Sequence, residues 1–113
     1  FFADHGFPAT EFARLGIGPV IMKDEVDYFR EIALLEEFRV TLAMAGMAED
    51  GSRFHFRNEF LRPDGTRCAR VTSAGGWLDL ARRKLTVPPA ALLEALRTLP
   101  RSDGFLVLPS SVR

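Results

Sequence analysis

The chain has 113 residues, of which 47% are hydrophobic, and its 15 basic side chains are balanced by 15 acidic ones. This length and composition are typical of a single globular domain rather than of a disordered or fibrous chain. The zero net charge argues against a nucleic-acid-binding protein, which usually carries a basic excess on one face.

The cysteine content and the hydropathy pattern bear on the compartment. The single cysteine, Cys68, cannot form an internal disulfide, which favours a reducing environment. No apolar run reaches the roughly 18 residues that a membrane-spanning helix needs. The first residues also lack the basic and apolar regions of a signal peptide. We therefore expect a cytoplasmic protein without a membrane partner.

The first sixteen residues predict helix. Residues 1–5 have the pattern of the last turns of a helix, which Gly6 would end in a left-handed conformation. Residues 8–16 predict a second, short helix, in which Phe12 and Leu15 are three positions apart and would pack on a sheet.

Four runs that alternate apolar and polar side chains follow. A period of two is the pattern of strands with one face on a core. The runs are joined by short segments such as Pro63-Asp64-Gly65, and none of these segments is long enough for a parallel crossover. We predict an antiparallel sheet, in which the first two runs form a pair, with strands near 18–31, 37–48, 52–62 and 66–80.

The apolar face of this sheet needs a cover. It carries Phe38, Val40, Leu42, Phe54 and Phe56, and an apolar patch of that size is rarely left in water. The N-terminal segment before the first strand is too short to cover it. We therefore expect the sequence to be a fragment of a longer polypeptide, or a partner chain to cover this face.

The fourth run contains two adjacent glycines and ends in basic residues. Gly75-Gly76 predicts a bulge or sharp coiling, because glycine otherwise weakens a strand. Arg82, Arg83 and Lys84 are expected at the end of this strand, either as a solvated polar end or as ligands of phosphate groups.

The C-terminal part predicts one further helix. It begins at Pro88-Pro89, and Pro100 stops it. The tail, 101–113, is expected to be loose or to pack on a partner chain. The helix carries an apolar stripe at helical spacing, formed by Leu92, Leu93, Leu96 and Leu99.

The order of these elements and four strings resemble the hotdog-fold acyl-CoA thioesterases of the 4-hydroxybenzoyl-CoA thioesterase-like group. The strings are FFADHGFPATEFARLGIGPVI, VDYFREIALLEEFRVTL, FLRPDGTRCARV and WLDLARRKLTVPPAAL, and together they reach Leu99. The resemblance implies one α+β hotdog domain over 1–113, in which an antiparallel sheet wraps a central helix and a C-terminal helix follows. It also implies a homodimer or a dimer of dimers, with acyl-CoA sites at the subunit boundary and no cofactor.

The resemblance leaves the catalytic acid unassigned. The family string D-x-D-x-x-G-H-x-N-N-x-x-Y would precede Phe1, so the expected acid lies upstream and the N-terminal strand and most of the central helix are lacking. Asp4 and Glu11 are the nearest acids, and both are expected to be surface charges. Tyr28 ends the first strand, where it could line an acyl pocket or be a core aromatic with its hydroxyl at the rim.

The remaining chemically active residue types favour structural roles. His5 and His55 are far apart, with no cysteine or acid at metal-ligand spacing, so no metal site is expected. Cys68 has no paired histidine motif, and a structural thiol is favoured over a nucleophile. Two functions stay open. The first is an acyl-CoA thioester hydrolase, and the second is a non-catalytic hotdog protein that binds an acyl group or small ligand, or serves in assembly.

Overall fold

The computed structural model describes residues 8–31 and 37–112. The segments 1–7 and 32–36 and residue 113 lie outside this description, and the predicted helix end at residues 1–6 is among them. The described elements are, in chain order, α1 (Ala9–Leu15), β1 (Ile17–Tyr28), β2 (Arg39–Ala48), β3 (Arg53–Leu61), β4 (Arg67–Asp79), β5 (Lys84–Thr86), α2 (Ala90–Arg97) and β6 (Arg101–Leu108).

The described strands form one sheet in the order β1-β4-β3-β2-β6, and the short β5 pairs with β4. The four predicted strands are confirmed, and each end lies within three residues of its expected position. They pair antiparallel, as predicted. The expected pairing of the first two strands is wrong, because β1 pairs with β4 and lies at one edge of the sheet.

The C-terminal tail is the largest departure from the prediction. It is not loose: it forms β6, which pairs with β2 in parallel and gives the sheet its one described parallel ladder. Helix α2 returns the chain along the sheet, so β6 runs in the same direction as β2. The half-buried ring of Phe105 packs against the core and holds the strand there. Four apolar residues between polar ends gave too short a pattern to predict this strand.

The prediction that Arg82, Arg83 and Lys84 lie at the end of the fourth strand is wrong. The strand ends at Asp79, so Arg82 and Arg83 lie in a turn, and Lys84 begins β5 instead of ending β4. The carboxylate of Asp79 accepts hydrogen bonds from the backbone N–H groups of Ala81 and Arg82, both at 3.0 Å. The Asp79 side chain therefore stabilises a turn directly after β4, before the basic residues. Strand propensity alone does not predict this turn.

The predicted bulge lies on the neighbouring strand. The register shifts in β1, between Ile21 and Lys23, and the facing part of β4 pairs regularly. Gly75 is required for space instead: a Cβ atom there would lie 2.3 Å from the Val20 carbonyl oxygen and 2.8 Å from the Phe54 ring. The extra residue in β1 also places Ile21 on the same face as Val26 and Tyr28, whereas strict alternation along the strand would place it on the opposite face.

Both described helices pack on the apolar face at one end of the sheet. Phe12 of α1 stacks on Trp77, with ring centroids 6.0 Å apart, and Leu15 packs beside it, as predicted. In α2, Leu92 and Leu96 are fully buried, while Leu93 and Leu99 pack at the margin. The helix begins after Pro89, as expected, but ends at Arg97, before Pro100. The core centres on Ile17, Met44, Met47, Phe54 and Trp77.

The architecture is therefore α+β, with helices on one face of a mostly antiparallel sheet, as predicted. No helix in the described ranges has the length and hydropathy that crossing a membrane requires.

Candidate functional site

The apolar face of the sheet continues beyond the part that α1 and α2 cover. Cross-strand pairing places Tyr28, Ala69, Phe60 and Val40 in one row across four strands. Leu42 and Val71 belong to the next row, together with Val26 and Asn58. Several of these side chains are half exposed or more: Val26 at 46%, Phe38 at 46%, Val40 at 49% and Tyr28 at 79%. The face predicted to carry Val40, Leu42, Phe54 and Phe56 is thus confirmed, and its far half is accessible.

Polar groups interrupt this face at two points. Asp24 of β1 faces Ser73 of β4, between the covered and the accessible halves. Asn58 lies in the accessible half, where its Nδ2 donates to the Thr41 carbonyl oxygen at 3.1 Å. In the sequence, Asp24 is a polar residue in phase with the apolar residues Val26 and Tyr28. Only the strand register shows that it lies next to Ser73.

Tyr28 lies at the end of β1, on the free edge of the sheet, and is the most exposed of the large apolar-face side chains. Together with Phe29, Arg30 and Glu31 it lines an open cavity of about 490 Å³. Its ring is therefore not a core aromatic in the described chain, and its phenol oxygen is accessible.

In the basic cluster Arg82–Lys84, the two arginines lie in the exposed turn between β4 and β5, and Lys84 begins β5. Arg83 adopts a left-handed backbone conformation, with φ of 57°. Within the described residues, none of the three side chains forms an ion pair, so their charges are available to a ligand.

Tyr28 and this cluster lie at opposite ends of the same ladder. Tyr28 pairs with Ala69 at one end, and Ile17 pairs with Asp79 at the other, beside the turn. The twelve-residue strand β1 holds these two ends about 35 Å apart. One chain therefore does not bring the two predicted binding groups together.

Two described carboxylates, those of Glu11 and Glu59, are already engaged by arginine side chains. Glu11 accepts two hydrogen bonds from Arg14, and the first of these, from Nε to Oε2, is 3.0 Å long. This hydrogen bonding, with the charge of Arg14, lowers the pKa of Glu11. Glu59 forms ion pairs with Arg67 and, at 3.7 Å, with Arg70. Asp4 lies outside the described residues.

The other reactive residue types also have defined places. The Cys68 thiol is buried, with its Sγ 3.8 Å from the Thr66 carbonyl oxygen. His55 projects from the outer face of β3. In residues 8–31 and 37–112, no group of three or more His, Cys, Asp and Glu side chains is arranged to hold a metal ion.

The outer face of the sheet carries a groove that sequence reasoning did not identify. It has a volume of about 320 Å³ and lies over β4, between β1 and β3. Its lining is formed by Lys23, Glu25, Asp27, His55, Arg57, Arg70, Thr72 and Ala74. The sequence shows the polar faces of the three strands separately. Only the order in which the strands pair shows that these faces form one groove.

The comparison with protein families identifies the chain. Residues 1–96 match the family described as the thioesterase-like superfamily. The chain belongs to this superfamily. The match ends before β6, so the last strand of the sheet lies beyond it. A search of curated proteins found no match.

Solved structures share the fold of this superfamily member. A hypothetical protein from Staphylococcus aureus in complex with CoA superposes with a TM-score of 0.75 at 20% identity, and the match covers 88% of this chain and 65% of that one. A gentisyl-coenzyme A thioesterase gives 0.70 at 15% identity, with 87% and 74% covered. A 1,4-dihydroxy-2-naphthoyl-CoA thioesterase from Synechocystis gives 0.72 at 16%, with 87% and 72% covered. The chain thus spans about two thirds of the length of the CoA-bound structure, and the hotdog-thioesterase resemblance is confirmed.

Proposed function

We propose that this chain is the greater part of an acyl-CoA thioester hydrolase, which releases a carboxylic acid and coenzyme A. The observation that carries the proposal is the accessible half of the apolar face, which ends at Tyr28 on the free edge of a thioesterase-superfamily sheet. The structures with CoA and CoA thioesters in their names support the same substrate class.

The accessible apolar rows are the place for the central helix that the family resemblance implies. Such a helix would cover Val26, Val40 and Phe60 and leave Tyr28 at its margin, because Tyr28 is the most exposed residue of its row. The acyl chain would then lie beside Tyr28, between the helix and the free edge of β1. Burial of an acyl chain there contributes about 0.8 kcal/mol per methylene group.

A second copy of the chain completes this site. If the free β1 edges of two subunits pair antiparallel about a twofold axis, the Tyr28 end of one strand lies toward the Ile17 end of the other. The turn that holds Arg82 of the partner subunit then approaches Tyr28. Arginine guanidinium groups in this turn would bind the phosphates of CoA through paired hydrogen bonds.

In the reaction, water adds to the thioester carbonyl carbon to form a tetrahedral intermediate. Its collapse breaks the carbon–sulfur bond, and the thiolate leaves and is protonated to give free CoA. The residues assigned here bind and orient the two halves of the substrate, which lowers the entropic part of the barrier. The carboxylate that the family resemblance implies would activate the water.

A non-catalytic binding protein is the second candidate. It is favoured by the engagement of Glu11 with Arg14 and of Glu59 with Arg67, which leaves these carboxylates poorly suited to activate water. Such a protein would bind acyl-CoA in the same place without turnover. Binding and hydrolysis measured on the same preparation separate the two candidates.

The roles of the two binding groups can be tested in the full-length protein. Replacing both Arg82 and Arg83 with glutamine removes the phosphate contacts, so KM for acyl-CoA should rise about tenfold or more while kcat changes little. The matched control is Arg53→Gln, which removes an exposed arginine from β3. Equal KM values for the double variant and the control would exclude the turn from the CoA site.

The two-subunit arrangement has its own test. Sedimentation velocity at micromolar concentration should show a dimer or a tetramer. A monomer that still hydrolyses acyl-CoA would rule out the site shared between subunits without ruling out the activity.

A further inference from the structure

The groove on the outer face of the sheet lies on the opposite side from the proposed acyl site. Its floor is formed by Thr72 and Ala74 of β4, whose small side chains leave space between the longer ones of β1 and β3. At about 320 Å³ it is large enough for a small ligand.

The basic groups in the groove outnumber the free acidic ones. Lys23 and Glu25 neutralise each other through an ion pair of 2.8 Å. Asp27 is the other acid in the lining and lies directly across from Arg70 in the β1–β4 ladder, whereas Arg57 lies across from Thr72. Glu59, next to the groove, is shared between Arg67 and Arg70 and so compensates only one of the two charges.

The two arginines are placed to act together. Arg57 pairs with Thr72, and Arg70 pairs with Glu59, so the arginines are diagonal neighbours on adjacent strands. Diagonal neighbours on one face are about 7–8 Å apart, which long side chains span easily. Guanidinium groups on such neighbouring positions repel each other, and an anion bound by both relieves this repulsion.

Both arginines also have an unused donor. The Nε atoms of Arg57 and Arg70 are shielded from solvent and have no hydrogen-bond partner among the described residues. The Nη1 atom of Arg57 is held by Ser102 Oγ of β6 at 3.3 Å, which restricts its rotation. A shielded N–H without an acceptor destabilises the folded chain, and a bound oxyanion would supply the missing acceptor.

From these observations we infer that the outer groove is a binding site for a phosphate group, as inorganic phosphate or on a small phosphorylated molecule. Phosphate offers several acceptor oxygens, which match the forked donors of two arginines. The Thr72 hydroxyl on the floor supplies a further donor. The inference does not depend on thioester hydrolysis, because the groove and the apolar face lie on opposite sides of the sheet.

The test is titration calorimetry of the full-length protein with inorganic phosphate at constant ionic strength. The wild type should bind phosphate saturably. Arg57→Gln and Arg70→Gln should each weaken binding about tenfold or more, because each removes charge-assisted hydrogen bonds. Ala74→Leu fills the floor without changing the charge and should also abolish binding.

The control is Arg53→Gln, on the same strand and face but outside the groove lining, and it should bind as the wild type does. Circular dichroism confirms the fold of each variant. Titrations with CoA and with dephospho-CoA in the presence of phosphate distinguish the source. Competition by CoA but not by dephospho-CoA identifies the 3′-phosphate of CoA as the ligand. Competition by neither identifies inorganic phosphate or another phosphorylated molecule. Heat that does not saturate, or equal binding by Ala74→Leu and the wild type, would overturn the inference.

Discussion

The indole Nε1 of Trp77 donates a buried hydrogen bond of 2.9 Å to the carbonyl oxygen of Gly51. Trp77 is fully buried near the end of β4, and Gly51 lies in the turn between β2 and β3. The bond joins the turn to the core, where the indole also contacts the rings of Phe12 and Phe54. The covered end of the apolar face therefore has a defined polar anchor as well as apolar contacts.

Trp77→Phe should lower the free energy of unfolding by about 2–4 kcal/mol. The change leaves the Gly51 carbonyl without its indole donor and opens a cavity between the two helices. Urea denaturation followed by circular dichroism measures the effect. The matched control is Phe38→Leu at a half-exposed position, which should cost about 1 kcal/mol or less. Equal losses in the two variants would contradict this role of Trp77.

Gly75→Ala should be strongly destabilising, by about 2 kcal/mol or more, because the new Cβ atom would overlap the Val20 carbonyl oxygen and the Phe54 ring. Gly18 is a suitable control, since a Cβ atom there meets only a Leu80 methyl group at 3.7 Å. Gly18→Ala should be neutral or slightly stabilising. Thermal denaturation of both variants checks the prediction, and a tolerated Gly75→Ala would mean that β1 and β4 are less closely apposed.

The C-terminal strand is held by a hydroxyl network that should control its local stability. The buried Ser52 Oγ accepts from the Ser111 N–H at 3.0 Å and donates to Ser110 Oγ at 3.3 Å. Ser110 in turn donates to Asp50 at 2.5 Å. Ser52→Ala breaks the centre of this network.

Hydrogen exchange should therefore become faster in residues 106–112 of Ser52→Ala, by about tenfold for a loss of about 1.4 kcal/mol. Exchange in the β3–β4 ladder should change less, because among the described strands β6 pairs with β2 alone. Ser73→Ala is the control, since Ser73 is a half-buried serine that has no side-chain hydrogen bond in the described chain. Uniform acceleration across the sheet would show that the network supports the whole domain instead.

The sequence predicted the strands well because their alternation is long and regular. β2 and β3 each carry several aromatic or aliphatic residues in phase, and the turn at Pro63-Asp64-Gly65 separates β3 from β4 clearly. The helix after Pro89 was equally legible, since four leucines recur at helical spacing. Strong local patterns of this kind specify element type without knowledge of the partners.

What the sequence did not predict depends on contacts between distant segments. Strand order could not be read from alternation, so β1 was placed beside β2 instead of β4. The bulge in β1 lies opposite Gly75, which is more than fifty residues away in the chain. The outer groove was not predicted for the same reason. Arg57 and Arg70 lie on the polar faces of separate strands, and only the strand register shows that they are neighbours.

The proposed acyl-CoA thioester hydrolysis is measured by a thiol-release assay on the full-length protein with short, long and aromatic acyl-CoAs. An acyl-CoA hydrolase should turn over at least one of these thioesters above the spontaneous rate, with one CoA thiol released for each carboxylic acid formed. Calorimetric titration with a non-hydrolysable acyl-CoA analogue, on the same preparation, shows whether the site is occupied. Binding of the analogue without turnover of any thioester would contradict the hydrolase and support the non-catalytic binding protein.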